Sequence, residues 1–188
     1  MFGLPTYLRP VAAHKETKDS VLGEIKKLCQ DSRCFIPRSG EQVFTDYMIP
    51  SEASARKYKD EVIDSVMPNI EEFSLSMGAK KLNMGQIWFQ RYETDFYHGT
   101  HNHWPSLFSV IYYLEFDPSE HESTVLMNPN RLHAELYRAQ NIQLETSFSP
   151  KIKEGDILIF PSFVDHYAPM NKSKMPRTIV SFNFDMSG

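Results

Sequence analysis

Three histidines stand at spacings that could hold one metal ion. His101 and His103 form an HxH pair in the segment HNHWP, shortly before an apolar run. If the chain around His101 is extended, residues i and i+2 lie on the same side of the strand, so both imidazoles would point to one place. His166 follows the apolar segment GDILIF and the strand-breaking Pro161, where it could supply a third ligand. Imidazole binds Zn, Fe, Cu and Ni, so the three residues predict a first-row metal site.

Arg177 is a second candidate for chemistry. It opens the apolar segment TIVSFNF, eleven residues after His166. An arginine that enters an apolar strand is expected to be at least partly buried, and a buried guanidinium requires an anionic partner. A carboxylate that accepts two parallel hydrogen bonds is the natural partner. The alternative is an ion pair inside the chain, with Asp156 or Glu154.

Each of these residues also has an alternative interpretation. A lone HxH pair is common in surface loops, and His166 alone could be a hydrogen-bonded core histidine. His98 competes for a ligand position because it could pair with His101 if that segment coils; we expect it to lie at the entrance of the site. Trp104 and Asn183 are candidate pocket residues, although Asn183 could equally bond to its own neighbours.

The strands that would position these residues are recognised as aromatic-rich or apolar runs. Strong strands are predicted at residues 82–92, 107–116, 156–160 and 178–184. Weaker strands are predicted at residues 123–127 and 143–148, with a short helix or an ordered loop at residues 129–138.

The first third of the chain has helical periodicity instead. Residues 21–28 predict a helix that Asp19 or Ser20 could cap. Residues 51–77 predict a second helix, which Pro68 is expected to kink or divide.

Helices followed by a run of strands predict an α+β fold with a closed or sandwiched sheet. The polar segment 31–46 is predicted to be a loop with one short strand. The chain has 188 residues, which suits one domain. We expect a single domain over residues 1–188, with 1–80 a mainly helical support and 81–188 the β-sheet core.

The composition argues against several classes of protein. The net charge is −4, without the basic excess of a nucleic-acid-binding protein, so no nucleic-acid partner is expected. The two cysteines, Cys29 and Cys34, provide no disulfide framework. The N-terminus lacks the pattern of a signal peptide, and no apolar run approaches the roughly 20 residues of a membrane span. We therefore expect a cytoplasmic protein with no membrane partner.

Four segments carry a resemblance to a known family: HNHWP, SVIYYL, GDILIFPSFVDH and RTIVSFNF. They resemble the 2-oxoglutarate- and Fe(II)-dependent oxygenases, and are most similar to the short members common in phages and marine bacteria. The prolyl hydroxylases are more distantly similar. The resemblance covers roughly residues 82–184. It implies a double-stranded β-helix (jelly-roll) core with the N-terminal helices packed outside, Fe(II) as the cofactor, 2-oxoglutarate as a small-molecule cosubstrate, and dioxygen.

The resemblance also implies a role for individual residues. His101 and His166 match the two histidine ligands of the family's iron. Arg177 matches the residue that binds the distal carboxylate of 2-oxoglutarate, and Tyr113 matches a tyrosine that assists it in prolyl hydroxylases. Tyr92 matches a residue near the opposite end of the cosubstrate.

His103 departs from the superfamily's usual pattern, which is HxD, although the short phage-like members themselves often show HxH. A neutral imidazole in place of a carboxylate leaves the iron one unit of charge more positive. Zinc or nickel could compete better for such a site. Because halogenases of the superfamily leave this position vacant, His103 disfavours halogenation.

Two other functions stay open at this stage. A cupin-like dioxygenase or isomerase would use three histidines without 2-oxoglutarate. However, cupins usually carry a glutamate shortly after HxH, and none follows His103 until Glu115. A non-catalytic barrel would use the histidines to hold a structural metal.

The primary substrate is not identified by the sequence. A peptide or protein is favoured by analogy with the prolyl hydroxylases. The oligomeric state is open, with a homodimer among the alternatives.

Overall fold

The computed structural model describes residues 3–38, 41–49, 57–142 and 144–188. The described residues form three α-helices and eleven β-strands. The helices are α1 (His14–Leu28), α2 (Tyr58–Ser76) and α3 (Arg131–Arg138). The strands are β1 (Tyr7–Pro10), β2 (Phe35–Arg38), β3 (Glu41–Thr45), β4 (Lys81–Tyr92), β5 (His98–His101), β6 (Phe108–Glu115), β7 (Val125–Met127), β8 (Ser147–Phe148), β9 (Asp156–Pro161), β10 (His166–Ala168) and β11 (Arg177–Ser187).

The strands build two antiparallel sheets. The larger sheet has the order β1-β9-β6-β11-β4-β3-β2, and the smaller has the order β5-β10-β7-β8. One apolar cluster joins them, because it contains Tyr113 and Ile179 from the larger sheet together with Leu126 and Ala168 from the smaller one. This arrangement confirms the predicted α+β class and the jelly-roll core.

Strand β11 shows how the larger sheet separates two cores. Val180 and Phe182 belong to a cluster that also contains Ile25 of α1 and Val66 of α2. Ile179 belongs instead to the cluster between the two sheets. Because successive side chains of a strand point to opposite faces, one face of the larger sheet packs against the helices and the other lines the interior between the two sheets. The prediction that the N-terminal helices pack outside the core is confirmed.

The first helix starts earlier than the sequence pattern predicts. It begins at His14, seven residues before Val21. Asp19 and Ser20 lie inside it, so neither caps it. The Thr17 hydroxyl donates to the Ala13 carbonyl at 2.8 Å. The apolar periodicity starts too late to reveal this first, mostly solvent-facing part of the helix.

The second helix is continuous through Pro68, which contradicts the predicted kink or division. Pro68 lies on the exposed face, while Val66 and Ile70 are fully buried. Burial of the opposite face therefore holds the helix together across the hydrogen bond that the proline cannot make. The predicted start at residues 51–56 lies outside the described residues.

The strands are predicted better than the helices. The four strong strands, the two weaker ones and the short helix α3 are confirmed within a few residues at their ends, although residue 143 lies outside the described residues. Segment 31–46 contains two strands rather than one, and β1, β5 and β10 are not predicted. These strands are short and are specified by their partners: β1 pairs with β9, and β3 pairs with β4. None of the described helices combines the length and the apolar character that crossing a bilayer requires.

Replacing Pro68 by alanine is expected to stabilise the protein. The change restores a backbone donor in an exposed helix interior, where proline costs up to about 3 kcal/mol relative to alanine. We expect the free energy of unfolding, measured by urea titration, to rise by about 1–2 kcal/mol. Glu71→Ala, at an exposed position of the same helix, is the control and should change it by less than about 0.5 kcal/mol. A loss of stability in Pro68→Ala would contradict this account of α2.

Candidate metal centre

Two short strands of the smaller sheet bring the histidines together. Strand β10 pairs antiparallel with β5 so that His166 lies opposite His101. Their ring centroids are 4.3 Å apart. The backbone N–H of His103 donates to the Ser162 carbonyl at 2.9 Å, which ties the HxH segment to the loop before β10. Ring nitrogens of His101, His103 and His166 all lie within 4.8 Å of one another, with no carboxylate in the group.

The hydrogen bonds of two of these rings suit metal binding. His101 Nδ1 lies 2.8 Å from the Gly99 carbonyl, and His166 Nδ1 lies 3.0 Å from the Val164 carbonyl. Because a carbonyl can only accept, each Nδ1 must carry the proton, which leaves the Nε2 lone pair free to bind a cation. Metal-binding histidines usually have their second nitrogen fixed in this way. The donor set therefore fits a first-row metal such as iron.

The electrostatics keep the three imidazoles neutral. Burial, followed by the neighbouring His101, lowers the pKa of His166 well below its ordinary value. Burial and then His101 lower the pKa of His103 to about 4. Burial also lowers the pKa of His101. At neutral pH the group therefore presents uncharged donors, the form in which histidine binds metals.

His98 lies beside the group rather than in it. Its ring stacks on His101 with centroids 4.1 Å apart, and its Nδ1 accepts a hydrogen bond from Gln90 Nε2 at 2.9 Å. Ser181 in turn donates to Gln90 Oε1 at 3.2 Å. The β5–β10 pairing shifts register between His101 and His98, which allows these two residues to face the same side of the strand, so His98 buttresses the ring of His101.

The pocket role predicted for Trp104 is wrong. Its side chain is 75% exposed, and it lines neither described cavity next to the histidines. Trp88, which was not predicted, takes that place, with its ring 5.4 Å from the ring of His103. The strand alternation of Trp88, Gln90 and Tyr92, all on the inner face of β4, could have revealed it.

Two cavities meet at His101 and His103. A narrow inner cavity lies between the sheets, and an open cleft of about 180 Å³ leads to the surface. Both are lined by the same five side chains, which are Trp88, Gln90, His98, His101 and His103. A metal held by the histidines would therefore face two separate binding spaces.

Asn183 and Ser109 line the inner cavity. Asn183 Oδ1 accepts a hydrogen bond from the Ser109 hydroxyl at 2.9 Å, and Ser109 also contacts the Ser162 hydroxyl at 2.8 Å. Asn183 thus both borders the cavity and bonds to its own neighbour.

Arg177 is buried, with 2% of its surface exposed, and it has no carboxylate partner among the described residues. Its guanidinium donates to the carbonyls of Glu122 at 2.5 Å and Pro169 at 2.8 Å. The predicted alternative of an ion pair with Glu154 or Asp156 is wrong, because Glu154 pairs with Lys18 and Asp156 accepts from a backbone N–H. Two carbonyl groups do not neutralise a buried cation, so the position favours an added anion.

The two tyrosines named from the sequence lie near Arg177. The guanidinium stacks 4.6 Å from the centroid of the Tyr92 ring. Tyr113 is fully buried, and its hydroxyl is 3.3 Å from the backbone nitrogen of Thr124, at the long end of hydrogen-bond distances. Burial raises the pKa of both Tyr92 and Tyr113, so both hydroxyls stay protonated and able to donate at neutral pH.

Comparison with solved structures shows the same fold in proteins of low sequence identity. The epimerase SnoN from nogalamycin biosynthesis, in complex with Fe3+, alpha ketoglutarate and nogalamycin RO, has a TM-score of 0.71 at 12% identity, over 97% of this chain and 79% of that one. HygX from Streptomyces hygroscopicus, with nickel and 2-oxoglutarate bound, has a TM-score of 0.63 at 12% identity, over 97% and 83%. The viral collagen prolyl hydroxylase vCPH from Paramecium Bursaria Chlorella virus-1 has a TM-score of 0.59 at 18% identity, over 97% and 96%.

The fold and the three-histidine group together define a metal-dependent enzyme built on a double-stranded β-helix. The sequence profile described as "Putative 2OG-Fe(II) oxygenase" matches residues 86–183, slightly more than half of the chain. The chain therefore belongs to this family, and it is a 2-oxoglutarate-dependent oxygenase that uses Fe(II) and dioxygen. A search of curated proteins finds no significant match.

The lowered histidine pKa values predict acid sensitivity of the metal-free protein. In the unfolded chain these histidines become protonated below a pH of about 6.5. In the folded protein their pKa values are lower, so His103, for example, becomes protonated only near its folded pKa of about 4. The free energy of unfolding should therefore fall with decreasing pH, by up to about 1.4 kcal/mol per pH unit for each such histidine.

Urea unfolding of the metal-free protein between about pH 7 and pH 5 measures this slope. His103→Asn removes one of the groups, so its slope should be shallower than that of the wild type. His133→Asn, at an exposed position on α3, should leave the slope unchanged. Identical slopes in all three proteins would show that the histidines are not held neutral by the fold.

Proposed function

We propose that the enzyme is a hydroxylase in which His101, His103 and His166 bind Fe(II), and Arg177 binds the distal carboxylate of 2-oxoglutarate. The observation that carries the proposal is the buried guanidinium without a carboxylate partner among the described residues, in the same interior as three neutral imidazoles. A dianion that spans the two sites would satisfy both. Among the described residues, this cation is offset only by two carbonyl groups, the face of the Tyr92 ring and the charge of Glu122.

The alternation of side chains along β11 supports this binding position for 2-oxoglutarate. Arg177 shares the inner face of the strand with Ile179 and Ser181, both of which line the inner cavity. The keto-acid end would lie at the histidines and the other carboxylate at Arg177. Tyr113 would donate a hydrogen bond to that carboxylate, since its hydroxyl stays protonated and, among the described residues, Thr124 is its hydrogen-bond partner.

Iron held at this site would supply the coupling of 2-oxoglutarate decarboxylation by dioxygen to oxidation of a substrate C–H bond. The chain's own contribution is to orient the reactants and to exclude water. Phe160, Ile111 and Ile179 form apolar walls of the inner cavity. Such walls strengthen the electrostatic attraction between Arg177 and a carboxylate.

The outer cleft is the proposed binding place for the primary substrate. It shares His101 and His103 with the inner cavity, so a molecule bound there would lie beside the metal while 2-oxoglutarate fills the interior. Tyr92, which packs between Arg177 and the cavity, would contact the cosubstrate through its ring rather than through a charge.

The affinity for 2-oxoglutarate tests the role of Arg177. Under anaerobic conditions, Fe(II) and 2-oxoglutarate should give the wild type a visible charge-transfer band, which is titrated with 2-oxoglutarate. Arg177→Ala removes a charge-assisted double hydrogen bond of about 2–3 kcal/mol, so half-saturation should need roughly 30- to 150-fold more cosubstrate.

Arg138→Ala, which removes an exposed arginine on α3, is the matched control and should titrate like the wild type. The absence of any band in the wild type would refute the oxygenase proposal. A band whose titration is the same in Arg177→Ala and in the wild type would refute only the role of Arg177.

Iron affinity tests the three-histidine site. We expect His103→Asp to retain Fe(II), because it restores the carboxylate that the superfamily usually has at this position. His101→Ala should lose binding by at least about tenfold, because it removes a ligand from the centre of the group. Equilibrium dialysis of Fe(II) measures both, with His133→Ala as the control. Equal iron affinity in the wild type and His101→Ala would refute the assignment.

A further inference from the structure

A hydrogen bond between two side chains joins the segments that carry the three histidines. Asn102 stands between His101 and His103, and Asp165 directly precedes His166. The Asn102 Nδ2 group donates to Asp165 Oδ1 at 2.9 Å, across 63 positions of the sequence. Each of the three proposed metal ligands is therefore next in sequence to a partner in this bond.

The register of strands β5 and β10 explains why the two side chains meet. His101 pairs with His166, so one further step in the same antiparallel register brings Asn102 opposite Asp165. Side chains that lie directly opposite each other have Cβ atoms about 4.5–5.5 Å apart, which is within reach of a hydrogen bond. The group of mutually close ligand atoms contains the three histidines and no carboxylate, so Asp165 acts on the site from outside this group.

Both partners of the bond are held by further contacts. The backbone N–H of Trp104 donates to Asn102 Oδ1 at 3.3 Å, which fixes the amide so that Nδ2 faces Asp165. The Asp165 Oδ2 atom lies 3.3 Å from Arg131 Nη1 of α3. The Asp165 carbonyl accepts from the backbone N–H of Met127 at 2.8 Å. The bond therefore connects the HxH segment to a residue that β7 and α3 also hold in place.

His103 is the ligand that needs this support. Strand β5 ends at His101, so the pairing of β5 with β10 does not extend to His103. The His103 N–H bond to the Ser162 carbonyl, at 2.9 Å, fixes the backbone of His103 against the loop before β10. The bond between Asn102 and Asp165 fixes the residue between the two ligands. Together these contacts determine where the His103 imidazole lies relative to the other two rings.

The location of the bond separates its effect on metal binding from its effect on overall stability. The Asp165 side chain is 28% exposed, and Asn102 is exposed. A polar contact that water can reach contributes little to the free energy of unfolding, because both groups would be solvated without it. Metal affinity is more sensitive, and the loss of a contact outside the ligand set typically lowers it about 10- to 100-fold.

We propose that Asn102 and Asp165 are positioning residues of the metal site, and that their hydrogen bond holds His103 in place before the metal binds. This inference rests on the proposed function for the identity of the three ligands, and it adds the contact that orders them. Without the bond, the metal itself would have to order the segment after β5, and this cost would lower the affinity for the metal.

Cobalt(II) tests the proposal, because it binds imidazole and its visible absorption depends on the number and arrangement of its ligands. The metal-free chain is titrated with Co(II) alone, and the urea midpoint of the same metal-free protein is measured in parallel. We expect Asp165→Ala to weaken Co(II) binding by about tenfold or more and to change the visible spectrum. The urea midpoint should stay that of the wild type, because the bond lies at the surface.

Three further variants separate the hydrogen bond from other effects. The double variant Asn102→Ala, Asp165→Ala should bind Co(II) within about twofold of the weaker single variant, because both changes delete the same bond. Asp165→Asn keeps an oxygen that can accept from Asn102, so its affinity should return to within about threefold of the wild type. Arg131→Ala removes the ion pair of Asp165 but not its bond to Asn102, and as the matched control it should bind Co(II) like the wild type.

The positioning role would be overturned by single-variant losses that multiply in the double variant, or by a loss of affinity that is matched by a fall in the urea midpoint. Saturable, His101-dependent Co(II) binding that Asp165→Ala does not weaken would contradict the positioning role alone. Unsaturable binding in the wild type, or equally tight binding in His101→Ala, would contradict the three-histidine site of the proposed function and this inference with it.

Discussion

The two-residue alternation of strand β11 is the constraint on which both the fold and the candidate site depend. Its outward side chains, Val180 and Phe182, pack against the helices. On the opposite face, which Arg177 shares by alternation, Ile179 lines the interior. A shift of the strand register by one residue would exchange the two faces. The Arg177 guanidinium would then lie among the helices, and Val180 and Phe182 would point into the cavity. The strand is paired on both sides, with β4 and β6, so its register is fixed along its length. The pairing of β11 with β4 and β6 therefore both stabilises the core and determines the face on which the Arg177 guanidinium lies.

Charge balance links the two ends of the interior. The histidine group contributes no negative charge, and the buried Arg177 contributes a positive one. A divalent metal would add two more positive charges to a region of low dielectric constant, where uncompensated charge is costly. A dicarboxylate compensates both sites at once. The histidine at position 103, in place of a carboxylate, makes the interior more dependent on that anion.

The predictions that failed concern features that distant contacts decide. Pro68 has a strong local tendency to break a helix, yet burial of Val66 and Ile70 keeps α2 continuous. The early start of α1 and the strands β1 to β3 depend on packing against the sheet, which no short window of sequence contains. Trp104 stands beside a metal-binding motif in the sequence but points to solvent, because the HNHWP segment turns outward after His103. Closeness to the motif in the sequence therefore did not predict a contact between Trp104 and the site.

The sequence by itself determined the residue types and local periods: the HxH pair, the later histidine, the arginine before an apolar strand, and the strong strands that carry them. These follow from local sterics and hydrophobic patterning, so a short stretch of chain suffices to specify them. Only the tertiary structure decided that β5 pairs with β10, which places His101 opposite His166. It also decided that His103, rather than His98, completes the group of three histidines. It also decided that Glu41, 60 residues before His101, faces the same cleft. Such contacts depend on the closure of long chain segments and on the shared burial of both sheets, which local sequence does not encode.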